Sequence, residues 1–146
     1  MTTAQEILIV YGTVTLAVSF ALGMPLSQIR MAAPAAPRHL VTAHLAAIIQ
    51  GAVHLSLTTA IAFSGLPEWL ETAAALLLVA GSALFVAGAM TNWLQHITGD
   101  HFAERTLGWK LFAASSAGHV PGATRMSPMS CAGNRSGPRA TRVVGG

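Results

Sequence analysis

The sequence predicts an all-α fold, an integral-membrane helical bundle with three clear transmembrane helices and a fourth that is incomplete or missing. Two observations carry this expectation. Charged residues make up 9% of the 146 residues and hydrophobic residues 53%. A soluble domain carries about 25% charged residues, so this chain has too few to cover a water-soluble surface of its size. Three stretches, residues 7–29, 40–63 and 72–97, also contain no Asp, Glu, Lys or Arg. With a rise of about 1.5 Å per residue, each exceeds the roughly 30 Å of a bilayer hydrocarbon core.

The first stretch lies in residues 1–120, which read as one transmembrane helical domain. Its small pair Ser19 and Gly23 is spaced for close helix approach. Pro25 disturbs its pattern and Arg30 ends it. The N-terminus MTTAQEILIV lacks the basic region of a secretory signal, and its apolar run is too long for one, so it reads as a retained helix. The link MAAPAAPR is a loop by its two prolines.

The second stretch, LVTAHLAAIIQGAVHLSLTTAIAF, carries a smooth stripe of Ala43, Ala47 and Gly51. It also carries His44, Gln50 and His54, which are costly in lipid unless the protein interior uses them. A short turn, SGLPEWLE, follows, with Trp69 where an interfacial aromatic belongs. The third stretch has close-packing residues Gly81, Ala83, Ala87 and Gly88, and ends in the polar cluster Asn92-Trp93-Leu94-Gln95-His96. A charged loop at 100–105 leads to TLGWKLFAASSA, which starts a helix that Lys110 interrupts.

From Pro121 the composition changes. Residues 125–146 hold four Arg, two Pro and four Gly with no periodicity, the signature of a disordered tail. It reads as a frameshifted or truncated end.

Arg30 and Arg38 fall on one side of the bundle, and Arg105 and Lys110 on that same side two crossings later. The turn between the second and third stretches has Glu68 and Glu71 but no Lys or Arg. The positive-inside rule then places the protein in the cell (inner) membrane with its N-terminus outside and its C-terminus cytoplasmic. The net charge of +3 is accounted for by these flanks and the tail. No basic face with interleaved aromatics points to nucleic acid, and lipid is the expected surrounding. A single cysteine, Cys131, excludes an internal disulfide and a cysteine-rich zinc site.

Depth matching across antiparallel second and third helices sets His44 level with Asn92. His96 lies one turn further out on the face of Asn92, and Gln50 and His54 form an i, i+4 pair near the midplane. A polar pocket bounded by His44, Gln50, Asn92 and His96 is the expectation. A buried neutral imidazole there can ligate a haem iron, relay protons or hydrogen-bond across helices. His54 reads mainly as packing, and His39, His101 and His119 carry no assigned role. The sequence has no HExxH, no paired intramembrane carboxylates, no phosphate-binding loop and no dinucleotide fingerprint.

Ala43-His44-Leu45-Ala46-Ala47-Ile48-Ile49-Gln50-Gly51 resembles the AHxxxxxNG stretch of the hydroxylaminobenzene mutases and the related styrene oxide isomerases. Thr91-Asn92-Trp93-Leu94 resembles the ANWL that ends the third helix of the mutases, and AASSAGHVPG resembles their loop before helix four. The resemblance covers roughly residues 37–122. It implies a four-helix membrane isomerase that forms homo-oligomers and binds haem b, with His44 matching the haem iron's axial ligand in the isomerases. It further implies Lewis-acid polarisation of an N–O or C–O oxygen in a small aromatic substrate of the arylhydroxylamine type. Gln50, Asn92 and His96 would then orient the substrate or shuttle protons as catalytic residues. Gln50 replaces the family's Asn, His96 its assisting Tyr and Gly88 its Asp, which brings the mutase branch nearer than the epoxide isomerases. The other reading of the same residues is a non-catalytic small membrane protein or a haem-binding subunit of a larger complex.

Overall fold

The computed structural model describes residues 1–99 and 105–119. These form four helices in chain order: α1 (Thr3–Ala32), α2 (Arg38–Ala62), α3 (Glu68–Leu94) and α4 (Leu107–His119). The first three are long and apolar enough to cross a membrane. The expected disordered tail at 121–146, the loop residues 100–104 and the side chain of His119 lie outside the described residues.

Each helix begins where local chemistry allows it. Thr2 caps α1 in a reciprocal box with Gln5: the Thr2 hydroxyl accepts the Gln5 amide N–H and the Gln5 side chain accepts that of Thr2. α2 and α3 each start directly after a proline, Pro37 and Pro67, whose fixed φ suits the entry to a helix. Glu68 and Glu71 therefore belong to the first turn of α3 and not to the preceding turn. Their negative charges suit the positive end of the helix dipole there.

α1 runs through Pro25 and past Arg30, where it was expected to end, to Ala32. Proline removes one backbone donor, a loss that packing against a neighbouring helix can offset. α4 likewise runs past Lys110, which is exposed. The Thr106 hydroxyl accepts the Trp109 amide N–H at 3.1 Å and starts the helix. The fourth helix is thus present but, at 13 residues, spans only about 20 Å, short of a bilayer core.

Small residues set the packing. α1 and α2 run antiparallel and cross where Gly12 and Gly51 meet. A Cβ on Gly51 would lie 3.0 Å from the Gly12 carbonyl oxygen, and one on Gly12 3.1 Å from that of Gly51. The stripe of Ala43, Ala47 and Gly51 is buried as expected, whereas Ala83 is exposed. α3 and α4 cross at Gly88 and Gly108, and the backbone of α4 lies against α3. Two main apolar clusters fill the bundle. Leu22, Leu40, Ala43, Ala89 and Phe112 pack at the arginine-bearing end, and Ala4, Leu8 and Ala75 at the opposite end.

Candidate functional site

His44 and His54 of α2 sit ten residues apart, and the structure gives them different neighbours. His44 faces α1: its Nδ1 lies 2.9 Å from the Ser19 carbonyl oxygen and 3.3 Å from the Ser19 hydroxyl. A carbonyl only accepts, so Nδ1 carries the proton and donates, which leaves the Nε2 lone pair free. Gly23 permits the approach, since its Cα carries nothing that would crowd the ring: an added Cβ would sit 3.2 Å from His44 Cε1. His44 also lines an open depression together with Phe20, Gly23, Met24, Ser27 and Gln28.

His54 lies deeper and is fully buried. Its Nδ1–H donates to the Gln50 carbonyl of its own helix, and its ring meets Tyr11 of α1 edge-on at 4.8 Å. Among the described residues its Nε2 has no hydrogen-bond partner. One turn away, the Gln50 side chain turns toward α3, where its Oε1 accepts the Ser82 hydroxyl at 2.8 Å. Tyr11, Gln50, His54 and Ser82 thus make a polar seam joining α1, α2 and α3.

Asn92 is fully buried and faces α4, not α2. Its Oδ1 accepts the Thr106 hydroxyl at 2.9 Å, and it lies against Gly108, a contact that leaves no room for a side chain there. His96 lies beyond the end of α3, exposed and at φ 54°. The Ile97 and His96 amides donate to the carbonyls of Asn92 and Trp93, each at 3.0 Å, the 6→1 and 5→2 bonds of a Schellman helix end. His96 borders a cavity of about 390 Å³ with Arg38, His39 and Trp93.

The four residues expected around one pocket are therefore in different places. His44 meets Ser19, Gln50 meets Ser82, Asn92 meets Thr106, and His96 lines a cavity that His44 does not. Equal depth along two helices does not fix which way side chains turn around each axis, and the expectation rested on depth. Two polar groups carried no expected role and are built into the structure. His39 is buried, with Nε2 3.2 Å from the Gly99 carbonyl, and it ties the start of α2 to the exit of α3. Glu71 is buried in the first turn of α3. Pro37 two residues before His39, and Pro67 four residues before Glu71, are the signals in the sequence that both residues sit in first helical turns.

The class these observations define is an all-helical protein with three helices of membrane-spanning length and apolarity and a shorter fourth. No protein-family model, no curated protein and no solved structure matches the chain.

Proposed function

We propose that this chain is a membrane-embedded isomerase of the hydroxylaminobenzene mutase type, in which His44 holds a haem b and a small arylhydroxylamine-type substrate is rearranged within the molecule. The observation that carries the reading is the hydrogen bonding of His44. Metal-ligating histidines commonly donate their second ring N–H to a carbonyl, which fixes tautomer and orientation and makes the ligating nitrogen more basic. Ser19 supplies that carbonyl here. The remaining nitrogen belongs to a ring that lines a depression walled by Phe20 and Met24, both largely exposed. An apolar wall suits a porphyrin face.

The depression is also open toward the exterior of the chain, so the proposal includes a homo-oligomer in which a second copy covers it. When bound, ferric iron supplies a Lewis acid for an N–O or C–O oxygen. The chain's own part is to hold the imbedded imidazole through Ser19, to keep the Gly23 side clear, and to exclude water with α1 side chains. Gln50 and Asn92 act in this proposal through packing, since Ser82 and Thr106 engage them. The orientation proposed is N-terminus outside and C-terminus cytoplasmic, with the arginine-bearing end inward.

The engagement of Gln50 and Asn92 favours a second reading, a haem-binding subunit without catalysis of its own. Purification in detergent with haem supplied, followed by an absorption spectrum, tests what the two readings share. A Soret band that His44→Ala removes and His54→Ala retains is the expected result. A colourless, folded wild-type protein would remove both readings. Turnover of phenylhydroxylamine by the coloured protein then separates the isomerase from the subunit.

A further inference from the structure

The cavity at the arginine-bearing end takes no part in the reading of His44, which lies outside its lining. It forms where the exit of α1, the start of α2 and the exit of α3 meet, at the ends of the apolar spans. Its lining has two characters. Arg38, His96 and Thr98 bring a guanidinium, an imidazole and a hydroxyl, and Ile29, Trp93 and Ile97 bring an apolar wall. Arg38 and His96 are exposed, so the heads of both side chains are open to a ligand. The rim is held in place: His39 Nε2 lies 3.2 Å from the Gly99 carbonyl, which ties the segment carrying His96, Ile97 and Thr98 to the first turn of α2. Among the described residues no carboxylate shares this end with Arg38, since Glu6, Glu68 and Glu71 begin α1 and α3 at the opposite one.

Chemistry and position together define what would fill the cavity. Its volume of about 390 Å³ falls in the range of roughly 300–1,000 Å³ that small-molecule sites occupy. An inorganic anion would leave the side formed by Ile29, Trp93 and Ile97 unfilled. An arginine fork matches a phosphate bidentately, tryptophan sits at the headgroup level of a bilayer, and basic pockets between membrane helices take anionic headgroups. We propose that this cavity binds the headgroup of an anionic phospholipid, with Arg38 on the phosphate, His96 and Thr98 at its edge, and the glycerol end of the acyl chains along Ile29, Trp93 and Ile97. The proposal rests on the membrane reading of the chain and not on haem or catalysis.

The test uses the full chain with Trp69→Phe and Trp109→Phe, which leaves Trp93 as the sole tryptophan, reconstituted in phosphatidylcholine vesicles. A minor fraction of the lipid is phosphatidylglycerol, or further phosphatidylcholine, brominated in its acyl chains close to the headgroup, because bromine quenches a tryptophan it touches. The expected result is stronger quenching of Trp93 by the brominated phosphatidylglycerol at equal fraction. Arg38→Gln lowers the relative affinity for the anionic lipid about fivefold, the order of one arginine at a lipid surface. Arg30→Gln, which removes a charge outside the cavity lining, keeps most of the preference, and excess inorganic phosphate does not displace the lipid. Equal quenching by the two lipids overturns the proposal and leaves the membrane reading standing, whereas quenching by neither removes both. A preference unchanged by Arg38→Gln overturns it too. So does an equal loss in Arg30→Gln and Arg38→Gln, which makes the effect a general attraction to a positive surface, or displacement by inorganic phosphate, which makes the cavity a site for soluble anions.

Discussion

His96 holds a backbone conformation that suits glycine. Its φ of 54° is left-handed, where a side chain crowds the following carbonyl, and its two capping bonds keep it there. His96→Gly should therefore raise stability by about 0.5–1 kcal/mol, and His96→Val, with a branched Cβ, should lower it. Thermal unfolding of the detergent-solubilised protein by circular dichroism reads both signs. If His96→Gly is destabilising, the imidazole rather than the backbone matters at this position. His96 also marks what the sequence could and could not convey about single residues. The polar cluster at 92–96 was visible as the end of an apolar span, but a histidine gives no sign of replacing the usual glycine in a helix-ending turn. His44 and His54 were visible as polar groups inside an apolar helix. Their neighbours were not, because three helices pass at similar depth and the sequence does not say which one each ring meets. Ser19 and Gly23 are spaced as a contact pair, and that spacing was the readable half of the His44 environment.

At the scale of elements, α3 and α4 meet through backbone rather than side chains. A Cβ on Gly108 would lie 2.7 Å from the Gly88 carbonyl oxygen and would overlap the Asn92 amide. Gly108→Val should therefore cost about 1–3 kcal/mol through overpacking and should loosen α4 first, since the backbone of α4 is held against α3 alone. Gly65→Ala is the control: nothing lies within 4 Å of its added Cβ, and surface changes of this kind stay within about 0.5 kcal/mol. Melting curves for the two variants, with hydrogen exchange resolving α4 amides from those of α1, check both the size and the location of the effect. The sequence showed the glycines of α3 as small residues for close packing, and Gly88 does serve that end. It did not show the partner, because Gly108 lies in a stretch that Lys110 appeared to interrupt. A lysine on the exposed face of a short helix breaks nothing, and a charge count alone does not distinguish that face from a buried one.

For the whole molecule, the three spans were legible because a bilayer demands length and apolarity, and both are properties of sequence alone. Their ends were less so: α1 and α3 begin four residues before the uncharged stretches do, at Thr3 and Glu68, because capping side chains and helix-end charges belong to the helices they terminate. The way the spans face the two sides of the membrane is set by charge outside them. Arg30, Arg38 and Arg105 gather at one end of the bundle, and Glu68 and Glu71 begin α3 at the other. In the orientation proposed above, with positive residues retained in the cytoplasm, the turn between α2 and α3 would face outward. Two positions report on this without disturbing the fold. Gly65 lies in that turn with open space around it, and Ala35 lies exposed in the link between α1 and α2. With Cys131 replaced by serine, a membrane-impermeant maleimide added to intact spheroplasts should label Gly65→Cys. It should label Ala35→Cys only after permeabilisation. The reverse pattern would invert the orientation: it would place the turn between α2 and α3 on the cytoplasmic side and move the arginine-bearing end, with the cavity beside His96, to the outside.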